Sequence, residues 1–330
     1  MFAQRKVFIF VFLYLTLFPP YLISTLKSST RSVVILEKLN IPVTSKIKNI
    51  KVWMPIPAQD FYQSTKILKI ESDLPYKISE ELNYKNRFLF FENREPVETG
   101  IFNIKVSYQV LRKEQTPRTS KNKSNNFEKN EKGSILKFLE PRGLEMADDE
   151  IKRIAEENTK GINDPLEKAR AIYQYVLKFM KYDKSGAGWG RGDAVYACKV
   201  GKGNCTDFHS LFISLARAVH IPARFRMGVP LPKESEGDLS SAYHCWAEFY
   251  NDELGWIPVD ISEAWKNSNK ANYFFGNLDS DRILLTTGRE IVLEPKQNGP
   301  ALNFISQPYV EIDGNPTSDY ALARIYKKHS

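Results

Sequence analysis

The apolar residues of this chain follow two different spacings, and the change between them falls across one polar segment at residues 114–134. Before the segment, in "FNIKVSYQV" at residues 102–110, apolar and polar residues alternate. This period of two is typical of a half-buried β-strand. After the segment, at residues 166–180, apolar residues recur every three or four positions, which is typical of a helix with one buried face. The chain is therefore predicted to have a β-rich part followed by a part that contains helices.

The part before the polar segment contains several further strand candidates. These are "SVVILEKLNI", "IKNIKVWMPIP", "TKILKI" and "RFLFFE", with turn-forming residues between them. Several short strands without a helical pattern predict a small β-sandwich domain at residues 32–113.

The polar segment, "EQTPRTSKNKSNNFEKNEKGS" at residues 114–134, has one aromatic and no aliphatic side chain. Such a segment cannot bury enough apolar surface to fold alone, so we predict a linker or a long mobile loop. It holds five Lys or Arg residues against three Glu, and binding of these basic residues to phosphate groups or to a membrane is the alternative. The net charge of +8 is modest for 330 residues. Because no recognition motif accompanies it, we expect no nucleic-acid partner.

The first 24 residues have the pattern of a targeting signal. Arg5 and Lys6 precede a run of twelve residues, 7–18, that is apolar except for Thr16 and is followed by two prolines. This length suits the core of a signal peptide and is shorter than the ~20 residues that a membrane helix needs. Extended to Ile23 the run has seventeen residues, so an uncleaved N-terminal membrane anchor is the alternative. We therefore predict an exported protein that is periplasmic, secreted or anchored in the membrane.

Residues 135–295 form the predicted catalytic domain, with helices first and strands after them. The apolar pattern at residues 166–180 predicts one helix, for which Asp164 is the candidate capping residue and Pro165 the first helical residue. A second helix runs from Cys205 to the vicinity of Pro222. The strand candidates "ARFRMGV", "YHCWAEFY" and "GWIPVD" follow it, which predicts an α+β fold. Residues 296–330 have weak periodicity and are predicted only as a C-terminal extension.

Cys205 lies between a glycine-rich loop and this second helix, in "GKGNCTDFHSLF". Backbone N–H groups at a helix start favour a thiolate and could hold a developing oxyanion. Gly201 and Gly203 would let a substrate backbone come close. A structural cysteine, buried as a small apolar side chain, is the alternative.

Two histidines are candidates for the base that a thiol nucleophile needs. His209 lies one helical turn after Cys205, at the edge of the apolar face of the same helix. This position favours a histidine that is packed in the structure over one that acts as the base. His244 lies on a strand, and Asp260 ends the next strand after the turn "NDELG". Antiparallel pairing would bring Asp260 to His244, where a carboxylate holds the imidazole in one tautomer. We predict Cys205 as nucleophile, His244 as base and Asp260 as the acid that orients it.

The three blocks that carry these residues resemble the signature blocks of the transglutaminase-like superfamily, whose bacterial members are often described as candidate cysteine proteases. The matching features lie within residues 150–290: the "GxGxC" lead-in, the "LxRAxxIPAR" helix exit and the "HxWxEF" strand. The resemblance implies a papain-like α+β core, a β domain ahead of it and the same roles for Cys205, His244 and Asp260. Cys245, directly after the histidine, departs from the small residue that the family more often has there.

An odd number of cysteines in an oxidising compartment leaves at least one thiol free or paired with another chain. One hypothesis pairs Cys198 with Cys245, which would face away from the site, and leaves Cys205 as the free thiol. Two separate buried thiols are the alternative, because spacing alone does not show that the Cα atoms are close. No CxxC pair and no "DxDxDG" pattern occurs, so we predict no metal and no cofactor.

These observations predict an exported thiol enzyme that acts on amide bonds of proteins or peptides through a thioester acyl-enzyme. Hydrolysis is favoured over transfer to an amine, because water is always present and needs no dedicated second site. A catalytically idle binding or scaffold module of the cell envelope, with the β domain recognising the partner, is the alternative. The sequence predicts neither the substrate's identity nor the oligomeric state.

Overall fold

The computed structural model of this protein describes residues 29–117 and 135–329. The predicted targeting signal, residues 1–24, lies outside the described residues, and so do residues 118–134 of the predicted linker. In the ranges that are described, no helix is both long and apolar enough to span a membrane.

The predicted strands of the N-terminal part are present. They are β1 (Thr30–Val43), β2 (Ile50–Pro55), β3 (Gln63–Ser72), β5 (Arg87–Asn93) and β6 (Gly100–Lys113). A further strand, β4 (Tyr76–Glu80), lies between β3 and β5 and was not predicted from the sequence. The alternation at residues 102–110 lies in β6, where Ile104, Val106, Tyr108 and Val110 are buried and the side chains between them are exposed or half-buried. The period of two therefore identified a strand with one face in the core.

The second part contains helices followed by strands, as predicted, except that two short strands lie among the helices and one short helix lies among the strands. They are α1 (Asp149–Thr159), α2 (Pro165–Phe179), β7 (Lys181–Tyr182), α3 (Ala194–Val200), β8 (Lys202–Gly203), α4 (Cys205–Ala218), β9 (Ala223–Pro230), β10 (Glu236–Asp238), β11 (His244–Asn251), β12 (Gly255–Val259), α5 (Ile261–Lys266) and β13 (Arg282–Thr287). The start of α2 is the predicted one: Asp164 accepts a hydrogen bond from the backbone N–H of Leu166 at 2.8 Å, and Pro165 is the first helical residue.

Three more strands follow near the C-terminus: β14 (Tyr309–Ile312), β15 (Asn315–Thr317) and β16 (Ala321–Lys328). Two five-stranded sheets result, in the orders β10-β16-β1-β6-β3 and β15-β14-β2-β5-β4. Their apolar faces share one core, in which Ile35 and Tyr108 of one sheet and Val52 and Phe91 of the other are fully buried. Each such side chain stabilises the fold by roughly 1.5–3 kcal/mol. The predicted β-sandwich is confirmed.

The C-terminal segment, in which the sequence predicts no element, completes both sheets of the sandwich. β14 pairs with β2, and β16 pairs with β1 from Val33 opposite Lys328 to Asn40 opposite Ala321. Arg324 of β16 forms a buried ion pair with Glu37 of β1. The sandwich thus contains strands from both ends of the chain, and whether residues 32–113 are a unit of their own stays a prediction.

The second part is built around a four-stranded antiparallel sheet, in the order β12-β11-β9-β13. Helix α4 packs on one face of it, against the buried side chains of Cys245, Ala247 and Phe249. β13 contacts the sandwich: the side chain of Gln63 exchanges two hydrogen bonds, each of 2.8 Å, with the backbone of Leu284. A helix on an antiparallel sheet makes this part α+β, as predicted.

Candidate active site

Cys205 is the first residue of α4, where the sequence places it. The side-chain oxygen of Asn204 accepts a hydrogen bond from the backbone N–H of Thr206 at 2.9 Å. Asp207, in the first turn, accepts one from the backbone N–H of Asn204 at 2.9 Å. This capping box determines where the helix begins. It also places the Cys205 thiol beside the first backbone N–H groups, where an anion is stabilised.

The glycines near this thiol have structural reasons to be glycine. Gly190 and Gly192 donate their backbone N–H groups to Asp207 at 2.7 and 3.0 Å. A Cβ on Gly203 would lie 2.2 Å from an oxygen of Asp207, so no other residue fits there without a shift. Gly201 ends α3 with a φ of 63°, in the left-handed region that favours glycine. Both glycines of the lead-in are therefore explained without a substrate.

His244 begins β11, and Asp260 directly follows β12. The two strands pair antiparallel, as predicted, with Ala247 opposite Val259. This pairing brings Nε2 of His244 to 2.7 Å from Oδ2 of Asp260. Because Asp260 occupies Nε2, Nδ1 is left for the Cys205 thiol, which lies close enough to His244 for the two groups to shift each other's pKa. The structure thus brings the three predicted residues together in a buried group.

Charges within this group shift three pKa values in the directions that an ion pair requires. The pKa of the Cys205 thiol lies well below its usual range, because hydrogen bonds with Cys245 and His244 outweigh the opposing effect of burial. Burial also opposes the charge of His244, but Asp260 outweighs it and raises the pKa of His244 to about 9. Despite burial, His244 and Arg282 hold the pKa of Asp260 well below its usual range. These directions favour the charged forms of all three groups, thiolate, imidazolium and carboxylate.

Arg282, on β13, is a member of the site that the sequence analysis missed. Its Nη1 donates to Oδ2 of Asp260, and its Nε and Nη2 donate to Oδ1 of Asp279 at 3.2 and 3.1 Å. Its guanidinium lies 5.4 Å from the ring centroid of Trp246, and the residue is 2% exposed. A buried carboxylate stays ionised only with a partner of opposite charge, and Arg282 supplies that charge to Asp260. No spacing rule links an arginine on a strand to an acid 22 positions before it.

The other oxygen of Asp260, Oδ1, caps α5. It accepts hydrogen bonds from the hydroxyl of Ser262 and the backbone N–H of Glu263, both at 3.0 Å. With donors on both oxygens, the carboxylate is held in one orientation toward His244. The side chain that orients the imidazole is therefore itself positioned by a helix start.

His209 is packed between α4 and α5, in agreement with the interpretation that it is not the base. Its Nε2 accepts a hydrogen bond from the backbone N–H of Ile261 at 3.0 Å, and its Nδ1 lies 3.8 Å from Sγ of Cys245. Burial lowers the pKa of His209 to about 4, so the ring is neutral at physiological pH. A neutral ring that already accepts a backbone hydrogen bond through Nε2 joins the two helices.

The hypothesis that Cys198 and Cys245 form a disulfide is wrong for this structure, in which all three cysteines are free and buried. Cys245 lies close enough to Cys205 to influence its pKa, whereas Cys198 lies near Asp148 and Glu150 at the start of α1. Neighbouring strand residues do face opposite sides, as expected. However, α4 packs on the side that Cys245 faces, so Cys245 lies in the site and does not face away from it.

The arrangement can perform nucleophilic chemistry on a carbonyl carbon. A thiol with a lowered pKa lies near an imidazole that can take up and release a proton, and a carboxylate holds the opposite nitrogen of that imidazole. Within residues 29–117 and 135–329, no three His, Cys, Asp or Glu side chains are grouped so that they could hold a metal ion.

Residues 152–261 match the model of a family described as the Transglutaminase-like superfamily. The matched range contains all three residues of the buried group. The resemblance that the sequence motifs indicate is confirmed.

Similarity to individual proteins extends beyond this range. An uncharacterized protein of Haemophilus influenzae is 27% identical over 317 residues, with 82% of this chain and 82% of its own length covered. A solved structure of a candidate cysteine protease from Cytophaga hutchinsonii covers 92% of this chain and 99% of its own, with a TM-score of 0.55 and 18% identity. The periplasmic domain of TgpA from Pseudomonas aeruginosa covers 71% of this chain and 90% of its own, with a TM-score of 0.36 and 15% identity. The alignment with the Cytophaga hutchinsonii structure supports the fold over nearly the whole chain.

Proposed function

Because residues 152–261 match the model of the transglutaminase-like superfamily, we propose that this protein is a thiol enzyme that acts on amide bonds of proteins or peptides. Cys205 is the nucleophile, His244 the base and Asp260 the acid that orients it. The observation that carries the proposal is the 2.7 Å contact between Nε2 of His244 and Oδ2 of Asp260, which leaves the opposite ring nitrogen for the thiol. Nucleophile, base and orienting group in this order are the elements of a catalytic triad.

The first half of the reaction forms an acyl-enzyme. The thiolate of Cys205 attacks the carbonyl carbon of the amide, and the carbonyl oxygen becomes an oxyanion. The backbone N–H groups at the start of α4 stabilise this oxyanion. As the C–N bond breaks, the imidazolium of His244 gives its proton to the leaving amine. The acyl group is then joined to Cys205 as a thioester.

The second half releases the acyl group. Water gives a proton to the neutral His244 and attacks the thioester; the C–S bond breaks, and the acid leaves together with the regenerated thiolate and imidazolium. An amine in place of water would give a new amide. We favour hydrolysis over transfer, because water is always present and needs no second binding site.

Export is part of the proposal and rests on the pattern of residues 1–24. The substrates are then proteins or peptides outside the cytoplasm. The N-terminal segment either is cleaved or holds the chain at the membrane.

Mass spectrometry of wild type and Cys205→Ala, each incubated with an envelope protein extract, tests the proposal. A labelled primary amine is present in half of the samples. New peptide ends that only the wild type produces would support hydrolysis, and incorporation of the amine would support transfer. Neither product, together with equal iodoacetamide labelling of Cys205 in wild type and His244→Ala, would overturn the proposal and favour the idle binding module.

A further inference from the structure

One surface beside the Cys205 thiol has no role in the chemistry described above. We call it the aromatic–lysine patch, and it combines three aromatic rings with two lysine side chains. Its members are Tyr182, Lys184, Trp189, Trp265 and Lys266.

The patch lies next to the nucleophile because β7 and β8 are paired. Tyr182 stands opposite Gly203, two residues before Cys205, and its ring centroid is 6.1 Å from that of Phe208 in the first turn of α4. Trp265, at the end of α5, has its ring centroid 6.3 Å from that of Tyr182. An extended chain advances roughly 3.3–3.6 Å per residue, so a substrate held at Cys205 reaches the patch within a few residues.

The patch presents apolar faces and positive charge together. Nζ of Lys266 lies 4.2 Å from the ring centroid of Tyr182. Nζ of Lys184 lies 5.9 Å from the same centroid and 5.8 Å from that of Trp189. Trp265 is 40% exposed, so part of its ring surface is open to a ligand. Such a surface can cover an apolar side chain and attract an anion at the same time.

The balance of charge in the patch is positive. Lys266 pairs with Glu263 at 2.8 Å. Burial opposes the charge of Lys266, but Glu263 outweighs it and raises the pKa of Lys266, with a further contribution from Cys205. Lys184 is exposed, and among the residues that the structure describes no carboxylate lies within ion-pair distance of it. One ammonium group is therefore available to an acidic ligand.

We propose that the aromatic–lysine patch binds the residues of the acyl donor that flank the scissile amide, and that it selects an acidic side chain next to an aromatic or large apolar one. This inference rests on the proposed function, because it names the substrate class of the same site. The rings cover the apolar side chain, and Lys184 attracts the carboxylate. A basic residue in the same place is repelled.

Peptide probes with a reactive end test the selectivity without knowledge of the natural substrate. Three probes, N-iodoacetyl-Phe-Glu-amide and its counterparts with Ala and Lys in place of Glu, alkylate Cys205 at neutral pH. The measured quantity is the second-order rate, from peptide-mapped mass spectrometry. We expect the order Glu, Ala, Lys. The alkylation rates of the Glu and Lys probes should differ by about tenfold. An exposed ion pair changes binding by about two- to fivefold, and here attraction of the Glu probe and repulsion of the Lys probe multiply.

A matched pair of variants separates the patch from the general charge of the protein. Lys184→Glu places a negative charge in the patch and should bring the rate ratio of the Glu and Lys probes to one or below. Lys181→Glu makes the same charge change at the exposed residue directly before Tyr182. Because neighbouring strand residues point to opposite sides, the side chain of residue 181 points away from the patch. This variant should keep the wild-type rate ratio. Because the Glu and Lys probes are compared within one variant, a change in the reactivity of the thiol affects both rates equally and leaves their ratio unchanged.

The outcomes distinguish this inference from the proposed function. Equal rates for the Glu and Lys probes in wild type, or the same response in both variants, would overturn the patch as a selective surface. If iodoacetamide labelling still depends on His244 in that case, the proposed function stands. Labelling by iodoacetamide that is the same in His244→Ala would instead overturn the proposed function itself.

Discussion

Replacing Asp260 by Asn tests whether a buried carboxylate maintains the thiolate–imidazolium pair. Asn keeps the side-chain oxygen that caps α5 and nearly the same shape. It removes the negative charge that lies 2.7 Å from Nε2 of His244. The change therefore alters the electrostatics of the site more than its geometry.

The size of the effect follows from the pKa of His244. That pKa lies at about 9, against an ordinary value of 6.5. At about 1.4 kcal/mol per pKa unit, the site favours the imidazolium by roughly 3 kcal/mol. Burial alone shifts a histidine in the opposite direction, so without the carboxylate we expect the pKa of His244 to fall to its ordinary value or below. The Cys205 thiol then loses its cation, and its pKa moves up toward the ordinary value of about 8.5.

The assay is the rate of alkylation of Cys205 by iodoacetamide between about pH 4 and pH 10. Peptide mapping separates Cys205 from Cys198 and Cys245. In wild type we expect substantial alkylation already at about pH 6, because the site lowers the pKa of the Cys205 thiol below its ordinary value. In Asp260→Asn the rate at about pH 6 should fall by at least tenfold and recover toward about pH 9, since the thiolate fraction changes tenfold per pH unit below the pKa.

Asp279→Asn is the matched control. It removes the other carboxylate that Arg282 holds, at 3.1 Å, and leaves the contact between His244 and Asp260 in place. Its alkylation profile should follow wild type. If Asp260→Asn, folded by circular dichroism, has the same profile as wild type, the carboxylate does not maintain the ion pair and the reasoning is refuted.

Two further predictions concern neighbouring buried groups. His209→Gln should keep the wild-type alkylation profile, because a histidine with a pKa of about 4 is neutral and adds no positive charge beside the Cys205 thiol. A tenfold lower rate at about pH 6, as expected for Asp260→Asn, would contradict this. Burial raises the pKa of Glu248, but Arg226 and Arg224 outweigh it and lower the pKa to about 2 from 4.5. A depressed pKa contributes stability, roughly 3 kcal/mol here, that is present above about pH 4.5 and lost toward about pH 2. Thermal unfolding of Glu248→Gln should therefore depend less on pH in this window than that of wild type, and an unchanged dependence would exclude this contribution.

Local patterns in the sequence predicted many of the elements and placed the candidate nucleophile, Cys205, at the start of a helix. The alternation at residues 102–110 predicted β6, and the cap at Asp164 predicted the start of α2. The helix that begins at Cys205 is predicted from the apolar residues that follow it. These features depend on neighbours within a few positions of the chain, which is why they can be recognised without a structure.

The contact between His244 and Asp260 was also within reach of the sequence. The two residues are 16 positions apart, on strands joined by a short turn. A hairpin of this kind determines its own register, so the alternation of β11 and the length of the turn are sufficient to place the acid beside the imidazole.

Only the tertiary structure decided the rest. Arg282 reaches Asp260 because β13 joins the four-stranded sheet beside β9. Cys245 lies near Cys205 because α4 packs on one particular face of β11. β16 completes the sandwich by pairing with β1, so that Arg324 meets Glu37 across 287 positions. A sequence determines the local conformation and which face of an element is apolar, whereas the neighbour that covers the face depends on the simultaneous burial of distant segments.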